Sequence, residues 1–328
     1  MKVKSTQKPV DDFLLISFDK PGLDYTAGQH LTLLVEIGHR ILRRSYSLCS
    51  LPGDPYPQIA LRELPNGEVS RWLFKTIQPG SLLQSLPPSG RFTLKLAPVQ
   101  VFFAAGSGIT PIYALIRQLL QYTSHKATLY YSEKSPDRCL FYQELQNLAT
   151  QYPNRLKIHW HFSRLVDQNT HLNGRLNQFI LERAFAVIPN KEQLQFYLCG
   201  PMAYMRMIRI ALLFMGYEED QIKRENFASE GIPMAQKSSV RTPFEVNVQL
   251  GSKNYRQSSE ETILKAAMAN QISLPYSCEN GQCGTCALKL TKGKVLHRLN
   301  EVLTEKEIEA GYFLSCTALP DSPELIVE

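Results

Sequence analysis

The chain has 328 residues, 44% of them hydrophobic and 20% charged, which suits a folded protein of two or three domains and excludes a disordered or low-complexity chain. Seven cysteines are an odd set for a disulfide framework, and the polar first twelve residues lack a signal peptide's apolar stretch, so a reducing, cytoplasmic setting is expected. The net charge of +6 is uneven: from Pro243 onward eight Lys and Arg face eleven Asp and Glu, leaving +9 on the first 242 residues, a balance suited to anionic dinucleotides and an acidic module rather than to nucleic acid.

Residues 1–97 read as short strands separated by Pro/Gly breaks: Phe13–Phe18, His30–Glu36, Gln58–Glu63 and Arg91–Leu96. Closely spaced strands of this kind predict a small antiparallel β-barrel. Two segments inside it carry chemistry. Arg43-Arg44-Ser45-Tyr46-Ser47 offers a guanidinium that can bind phosphate through paired hydrogen bonds, beside a tyrosine ring. Gly67-Glu68-Val69-Ser70 has the form of a helix start, whose N–H groups, with Ser70 Oγ, suit a pyrophosphate. Arg62, at the end of the strand before it, is a further candidate cofactor contact.

Residues 98–236 read as an α/β domain. The uncharged run from Ala97 to Ile116 is long enough to imitate a membrane helix, but Gly106, Ser107, Gly108 and Pro111 break it into a buried strand, a turn and a helix start. Thr110 is expected as the N-cap and Pro111 as the first helical residue. Pro111 replaces the third glycine of G-x-G-x-x-G, which argues against a Rossmann-type FAD domain. At the end of the next strand, Ser132, Glu133, Lys134 and Arg138 stand where an adenosine ribose is read. Carboxylates there favour NADH and cations the 2′-phosphate of NADPH; both are present, with a lean to NADPH. Cys199-Gly200-Pro201 follows the strand from Gln195, with Pro201 expected at helix position N1, while His159 and His161 read as surface or packing residues.

The polar stretch 230–242 reads as a tether. Phe244–Leu250 alternates as a half-buried strand does, and Thr262–Asn270 reads as a helix. Thr304 and Glu307 form a capping-box pattern before a short helix that Gly311 ends. Between these elements lie Cys278, Cys283 and Cys286 in C-x4-C-x2-C spacing, with Cys316 thirty residues further on. That is the plant-type [2Fe–2S] spacing, with Gly281 and Gly284 suited to a tight loop around an anionic cluster. A four-thiolate zinc site and a disulfide pair are the alternatives.

These motifs resemble the ferredoxin–NADP reductase superfamily over nearly the whole chain: R-x-Y-S at Arg44–Ser47, G-x-x-S at Gly67–Ser70, G-x-G-x-T-P at Gly106–Pro111, C-G-P at Cys199–Pro201, and ferredoxin-like flanks at Pro275–Cys278 and Leu314–Ala318. The layout resembles the reductase components of multicomponent oxygenases. The resemblance implies a multidomain β, α/β and α+β chain: an antiparallel FAD-binding β-barrel at 1–97, a parallel-sheet NAD(P)H-binding domain at 98–236 and a β-grasp [2Fe–2S] ferredoxin domain at 243–328. It implies that Tyr46 lies along the flavin, that Ser47 faces flavin N5, and that Thr110 and Cys199 lie near the nicotinamide, with Phe227 the aromatic residue close to the flavin. The implied activity passes electrons from NAD(P)H through FAD and the cluster, one at a time, to a separate protein. That acceptor would be an oxygenase, a desaturase or a hybrid-cluster protein. A stand-alone diaphorase or quinone reductase and a redox-sensing iron–sulfur protein are the other readings.

Overall fold

A computed structural model describes residues 1–95, 97–164, 174–227, 243–276, 278–279, 281, 284–300 and 302–328. The chain divides into two compact units, Met1–Phe227 and Ala228–Glu328. Among the described residues no helix is long and apolar enough to cross a membrane.

The first unit begins with six strands: β1 (Val3–Val10), β2 (Phe13–Phe18), β3 (His30–Ile37), β4 (Arg40–Ser47), β5 (Gln58–Arg62) and, after helix α1 (Glu68–Thr76), β6 (Gln84–Ser85). They form two antiparallel sheets ordered β1-β2-β5 and β4-β3-β6, joined by isolated bridges at Lys2–Leu82 and Leu48–Ile59 into a barrel. Strand alternation turns Leu14, Ile16, Leu31, Leu33 and Ile59 into one core, and Val69 and Leu73 of α1 pack into it. Each such side chain contributes about 1.5–3 kcal/mol by leaving water. The first residues, polar by composition, form β1 because Val3 and Val10 anchor its ends.

The expected strand at Arg91–Leu96 does not form; Leu96 lies outside the described residues. The extended segment before it has other partners: the Lys95 N–H donates to the Tyr197 hydroxyl (2.7 Å), and Lys223 Nζ donates to the Thr93 carbonyl (2.8 Å). Side chains of the next domain thus take the bonds a neighbouring strand would supply.

The rest of the unit alternates strand and helix: β7 (Val99–Ala105), α2 (Ile109–Tyr122), β8 (Lys126–Glu133), α3 (Tyr142–Gln151), β9 (Leu156–Phe162), α4 (Gln178–Phe185), β10 (Leu194–Cys199), α5 (Met202–Phe214) and β11 (Ile222–Glu225). The five strands are parallel, in the order β11-β10-β7-β8-β9. On central β7, Phe102 and Ala104 face a core shared with α2, while Val101 and Phe103 face one shared with α4 and α5. The first of these cores also takes in Phe13, Ala27, Cys49 and Phe92 of the barrel, so barrel and sheet share packing. Thr110 is not the N-cap: a 3-10 turn at Gly106–Gly108 starts the helix two residues early, with Gly108 as cap. The Thr110 hydroxyl donates back to the Ser107 carbonyl (3.0 Å), and Pro111 is tolerated because first-turn N–H groups need no helical acceptor. Pro201 likewise is the cap of α5 rather than its first residue.

The second unit holds β12 (Glu245–Leu250), β13 (Lys253–Ser258), α6 (Ile263–Ala269), β14 (Ala287–Lys292), β15 (Val295–His297), α7 (Glu305–Glu309), β16 (Tyr312–Leu314), β17 (Ala318–Pro320) and β18 (Glu324–Val327). Its main sheet is ordered β13-β12-β18-β14-β16, with β12 and β18 parallel, the β-grasp arrangement. Val246, Val248, Ile263, Ala267, Phe313 and Leu325 fill its core. The capping box forms: Thr304 Oγ1 accepts from the Glu307 N–H (3.3 Å) and Glu307 Oε2 from the Thr304 N–H (2.9 Å). The stretch expected as a tether lies outside the described residues.

One ion pair fastens the barrel to α2. Arg117 donates to both oxygens of Asp54, at 2.6 and 2.8 Å, and the Leu51 N–H donates to the same carboxylate. Burial opposes ionisation of Asp54, but the bonds from Arg117 and Leu51 outweigh it and hold the carboxyl below its usual range. The folded-state value being the lower one, this contribution is present above about pH 4 and is lost as pH falls further. Asp54→Ala is expected to remove about 1–3 kcal/mol of stability at pH 7 and to flatten the acid limb of a pH–stability profile followed by thermal melting.

Candidate functional site

The order of the parallel sheet places its switch point between β7 and β10, where connections depart to opposite sides and a crevice opens at the carboxyl ends. Both expected nucleotide motifs are there: Gly106–Pro111 leaves β7, and Cys199–Pro201 leaves β10. The two turns touch. A Cβ on Gly108 would lie 2.1 Å from the Cys199 carbonyl oxygen, and one on Gly200 would lie 2.9 Å from Ala105 Cβ, so only glycine allows this approach. Cys199 is fully buried, and burial, then the Glu225 carboxylate, raise its thiol pKa well above the usual range.

From the barrel, β4 brings Arg43–Ser47 along β3, with His30 opposite Ser47 and Leu33 opposite Arg44. The Ser45 hydroxyl bonds Thr32 (2.8 Å), and Arg44 donates to the Arg43 carbonyl (2.7 Å). Tyr46 keeps its proton: burial raises its phenol, with Arg44 a weaker opposing influence. The Ser47 hydroxyl donates to Glu225 Oε2 (3.3 Å), whose other oxygen lies 3.7 Å from His30 Nδ1; Ser89 Oγ is 3.3 Å from His30 Nε2. Glu225 stands opposite Cys199 in the β10–β11 register, so Ser47, Glu225, His30 and Cys199 converge. Sequence reasoning missed His30 and Glu225. They lie beside Ser47 and Phe227 in the chain or sheet, yet only the β4–β11 approach gives them a partner. Asn226 is buried with both side-chain polar atoms unpartnered among the described residues, and Phe227 beside it is 40% exposed. Unmet amide groups beside a serine, a carboxylate and an exposed ring fit a polar, flat heterocycle.

At α1 the Ser70 hydroxyl donates to the Gly67 carbonyl and accepts from the Leu64 N–H, both at 3.2 Å. The serine therefore builds the turn. What remains for an anion is the first-turn backbone at Glu68 and Val69, which no side chain caps.

The ribose candidates are more committed than expected. Glu133 is buried at the end of β8; its carboxylate takes the Lys134 N–H (2.9 Å) and faces Arg62 Nη1 (3.4 Å). Arg62 Nε and Arg138 Nη2 both donate to Asp12 Oδ2, each at 2.6 Å. Arg62 also lies over the Phe13 ring and 2.9 Å from the position of a Cβ on Gly106. Lys134 is exposed and Ser132 half-buried.

In the second unit, antiparallel pairing of Ala287 with Leu314 brings Cys286 to Ser315, and Cys316, the next residue, lies against Cys286. The Ser315 N–H and hydroxyl both donate to the Cys286 carbonyl (3.0 and 3.1 Å), which locks the pair. Their sulfurs are 3.1 Å apart, well beyond a disulfide bond. Two thiolates on one tetrahedral metal with bonds of about 2.3 Å sit roughly 3.8 Å apart, so this pair can share one iron after a small shift. The hydrogen bond between them lowers the thiol pKa of Cys286 and raises that of Cys316. Cys278 is half-buried in the loop, where Glu279, Gly281 and Gly284 all take positive φ and turn the backbone tightly. Cys283 lies outside the described residues, as do Asn280 and Gln282. No disulfide bond joins the described cysteines.

Three family profiles match the chain in this order: an oxidoreductase FAD-binding domain at residues 3–94, an oxidoreductase NAD-binding domain at 102–210 and a 2Fe-2S iron-sulfur cluster binding domain at 248–321. The chain is 31% identical to one of the subunits of the 1,2-phenylacetyl-CoA epoxidase of Escherichia coli K12, over 100% of this chain and 96% of that one. The chain belongs to the iron–sulfur flavoprotein reductases. Its cofactors are FAD, NAD(P)H and a [2Fe–2S] cluster. Another member, the ferredoxin reductase component of a 3-ketosteroid-9-alpha-monooxygenase from Rhodococcus rhodochrous, is 32% identical over 93% of this chain and 88% of its own. Among solved structures, phthalate dioxygenase reductase matches with a TM-score of 0.63 and 25% identity, over 100% of this chain and 96% of that one. An intact type IV self-sufficient cytochrome P450 monooxygenase shares the fold at a TM-score of 0.78 and 24% identity; the chain spans 40% of its length.

The reductase keeps three thiols out of water. Cys49 is pushed up to about 12 by burial, and burial raises Cys139 and Cys199 further. Native protein exposed to iodoacetamide at pH 8 should leave all three unmodified by mass spectrometry until it is unfolded. Labelling of Cys199 in native protein would show instead that the crevice opens to solvent.

Proposed function

We propose that this reductase serves an oxygenase component as its electron acceptor, in preference to a desaturase or a hybrid-cluster protein. The observation that carries the reading is the buried Cys286–Cys316 pair, held beside the cluster loop of a compact unit that follows the flavin and nucleotide unit in the same chain. The oxygenase-serving relatives match over nearly their full length, which supports this acceptor class.

Domain limits of 1–97, 98–236 and 243–328 follow from the same reading. Arg44 and the first turn of α1 hold the anionic linker of FAD, with Ser45, Gly67, Val69 and Ser70 shaping the backbone around it. Tyr46 supports the ring system, and Phe227 covers it. Gly106, Gly108, Thr110, Pro111, Gly200 and Pro201 form the wall against which a dinucleotide backbone approaches. Ser47 and Cys199 border the reacting rings, and Glu225, beside His30, accepts a hydrogen bond from Ser47 and orients its hydroxyl. Burial of this group excludes water from the place where a hydride would otherwise be lost. When bound, FAD takes two electrons as hydride from the nicotinamide, and the [2Fe–2S] cluster carries them onward singly. Cys278, Cys283, Cys286 and Cys316 hold the cluster.

Cys286→Ser is the direct test. Anaerobic titration with NADH or NADPH should still bleach the flavin, while reduction of a protein acceptor falls by about tenfold or more and the reduced-cluster EPR signal is altered or lost. Undiminished delivery to the acceptor would end the reading that the cluster lies on the route.

A further inference from the structure

The cations that sequence reasoning offered to a 2′-phosphate are already held. Arg138, Asp12, Arg62 and Glu133 form a chain of alternating charge: Arg138 Nη2 to Asp12 Oδ2 at 2.6 Å, Arg62 Nε to the same oxygen at 2.6 Å, and Arg62 Nη1 to Glu133 Oε2 at 3.4 Å. The four charges sum to zero. None of the four side chains is more than 29% exposed, so solvent screens them only in part.

Glu133 occupies the carboxyl end of β8, next to the turn that leaves β7, where an acidic side chain can accept from ribose hydroxyls. A 2′-phosphate brought there would meet this carboxylate at close range, and the Arg138 charge that could offset it is already balanced by Asp12. Arg62 Nη2 and Arg138 Nε are buried without partners among the described residues, so each guanidinium keeps donor capacity that Asp12 has oriented but not filled. Asp12 itself comes from the β1–β2 turn of the barrel, outside the nucleotide domain.

We propose that Asp12 is a specificity-determining residue that makes NADH the preferred coenzyme: it holds Arg138 and Arg62 in a neutral network and leaves Glu133 to read an unphosphorylated ribose. This reverses the lean to NADPH drawn from composition alone. The inference rests on the reading of the β7–α2 turn as the dinucleotide site, and its test separates the two.

The probes are 5′-ADP and 2′,5′-ADP, titrated by calorimetry into the full-length, FAD-loaded protein, with flavin absorbance reporting that each variant is folded. Wild type should bind 5′-ADP about tenfold more tightly than 2′,5′-ADP. Asp12→Asn, which keeps the shape and removes the charge, should tighten 2′,5′-ADP about tenfold and change 5′-ADP by less than about threefold. Adding Arg138→Gln to Asp12→Asn should abolish that gain, since the freed guanidinium is its source. Tighter binding of 2′,5′-ADP by wild type, or a gain that survives without Arg138, would overturn the role of Asp12 and leave the dinucleotide site standing. Binding of neither nucleotide would overturn both.

Discussion

The close approach of two strand ends governs the first unit. Where β7 and β10 part, the backbone at Gly108 meets the carbonyl of Cys199 with no space for a side chain. A methyl group there would push the two turns apart and close the crevice that the strand order creates. Everything placed on that crevice depends on this contact: the start of α2 at Ile109, the burial of Cys199, and the approach of β11 that carries Glu225 to Ser47.

Around this contact the unit is fastened by buried or half-buried ions that cross from barrel to sheet. Asp54 reaches Arg117 on α2, and Asp12 reaches Arg138 after β8. Such pairs add little net stability against an apolar substitute, but removing one partner strands the other charge. They therefore act as registration devices. Nonpolar packing, shared through Phe13, Ala27 and Phe92, supplies the cohesion.

The second unit solves a different problem, holding sulfur atoms within bonding distance of one metal. The β14–β16 pairing prepares it: Ala287 lies opposite Leu314, Ser315 bonds the Cys286 carbonyl, and Cys316 follows within 3.1 Å of the Cys286 sulfur. Ser315 ties the same corner twice, and the short α7 with its capping box leads the chain into β16. Left-handed residues in the cysteine loop then turn its backbone inward.

Much of this was legible in the sequence because the motifs are local. Cysteine spacing, the glycine turn after an apolar strand, the capping box and the alternation of β12 each depend on residues close together in the chain, where backbone geometry alone dictates side-chain direction. What spacing could not show is which charges meet. Arg138 looked like a phosphate ligand until Asp12, 126 residues earlier, was found bonded to it. Ser70 looked like an anion ligand, yet its hydroxyl closes its own turn; Arg91–Lys95 looked like a strand, yet Tyr197 and Lys223 hold its backbone instead. Glu225 and His30 gained a role only through contact across domains. Motifs and element types follow from local backbone chemistry, which the sequence determines by itself. The partners of long polar side chains follow from where distant segments pack, and only the tertiary structure decided those.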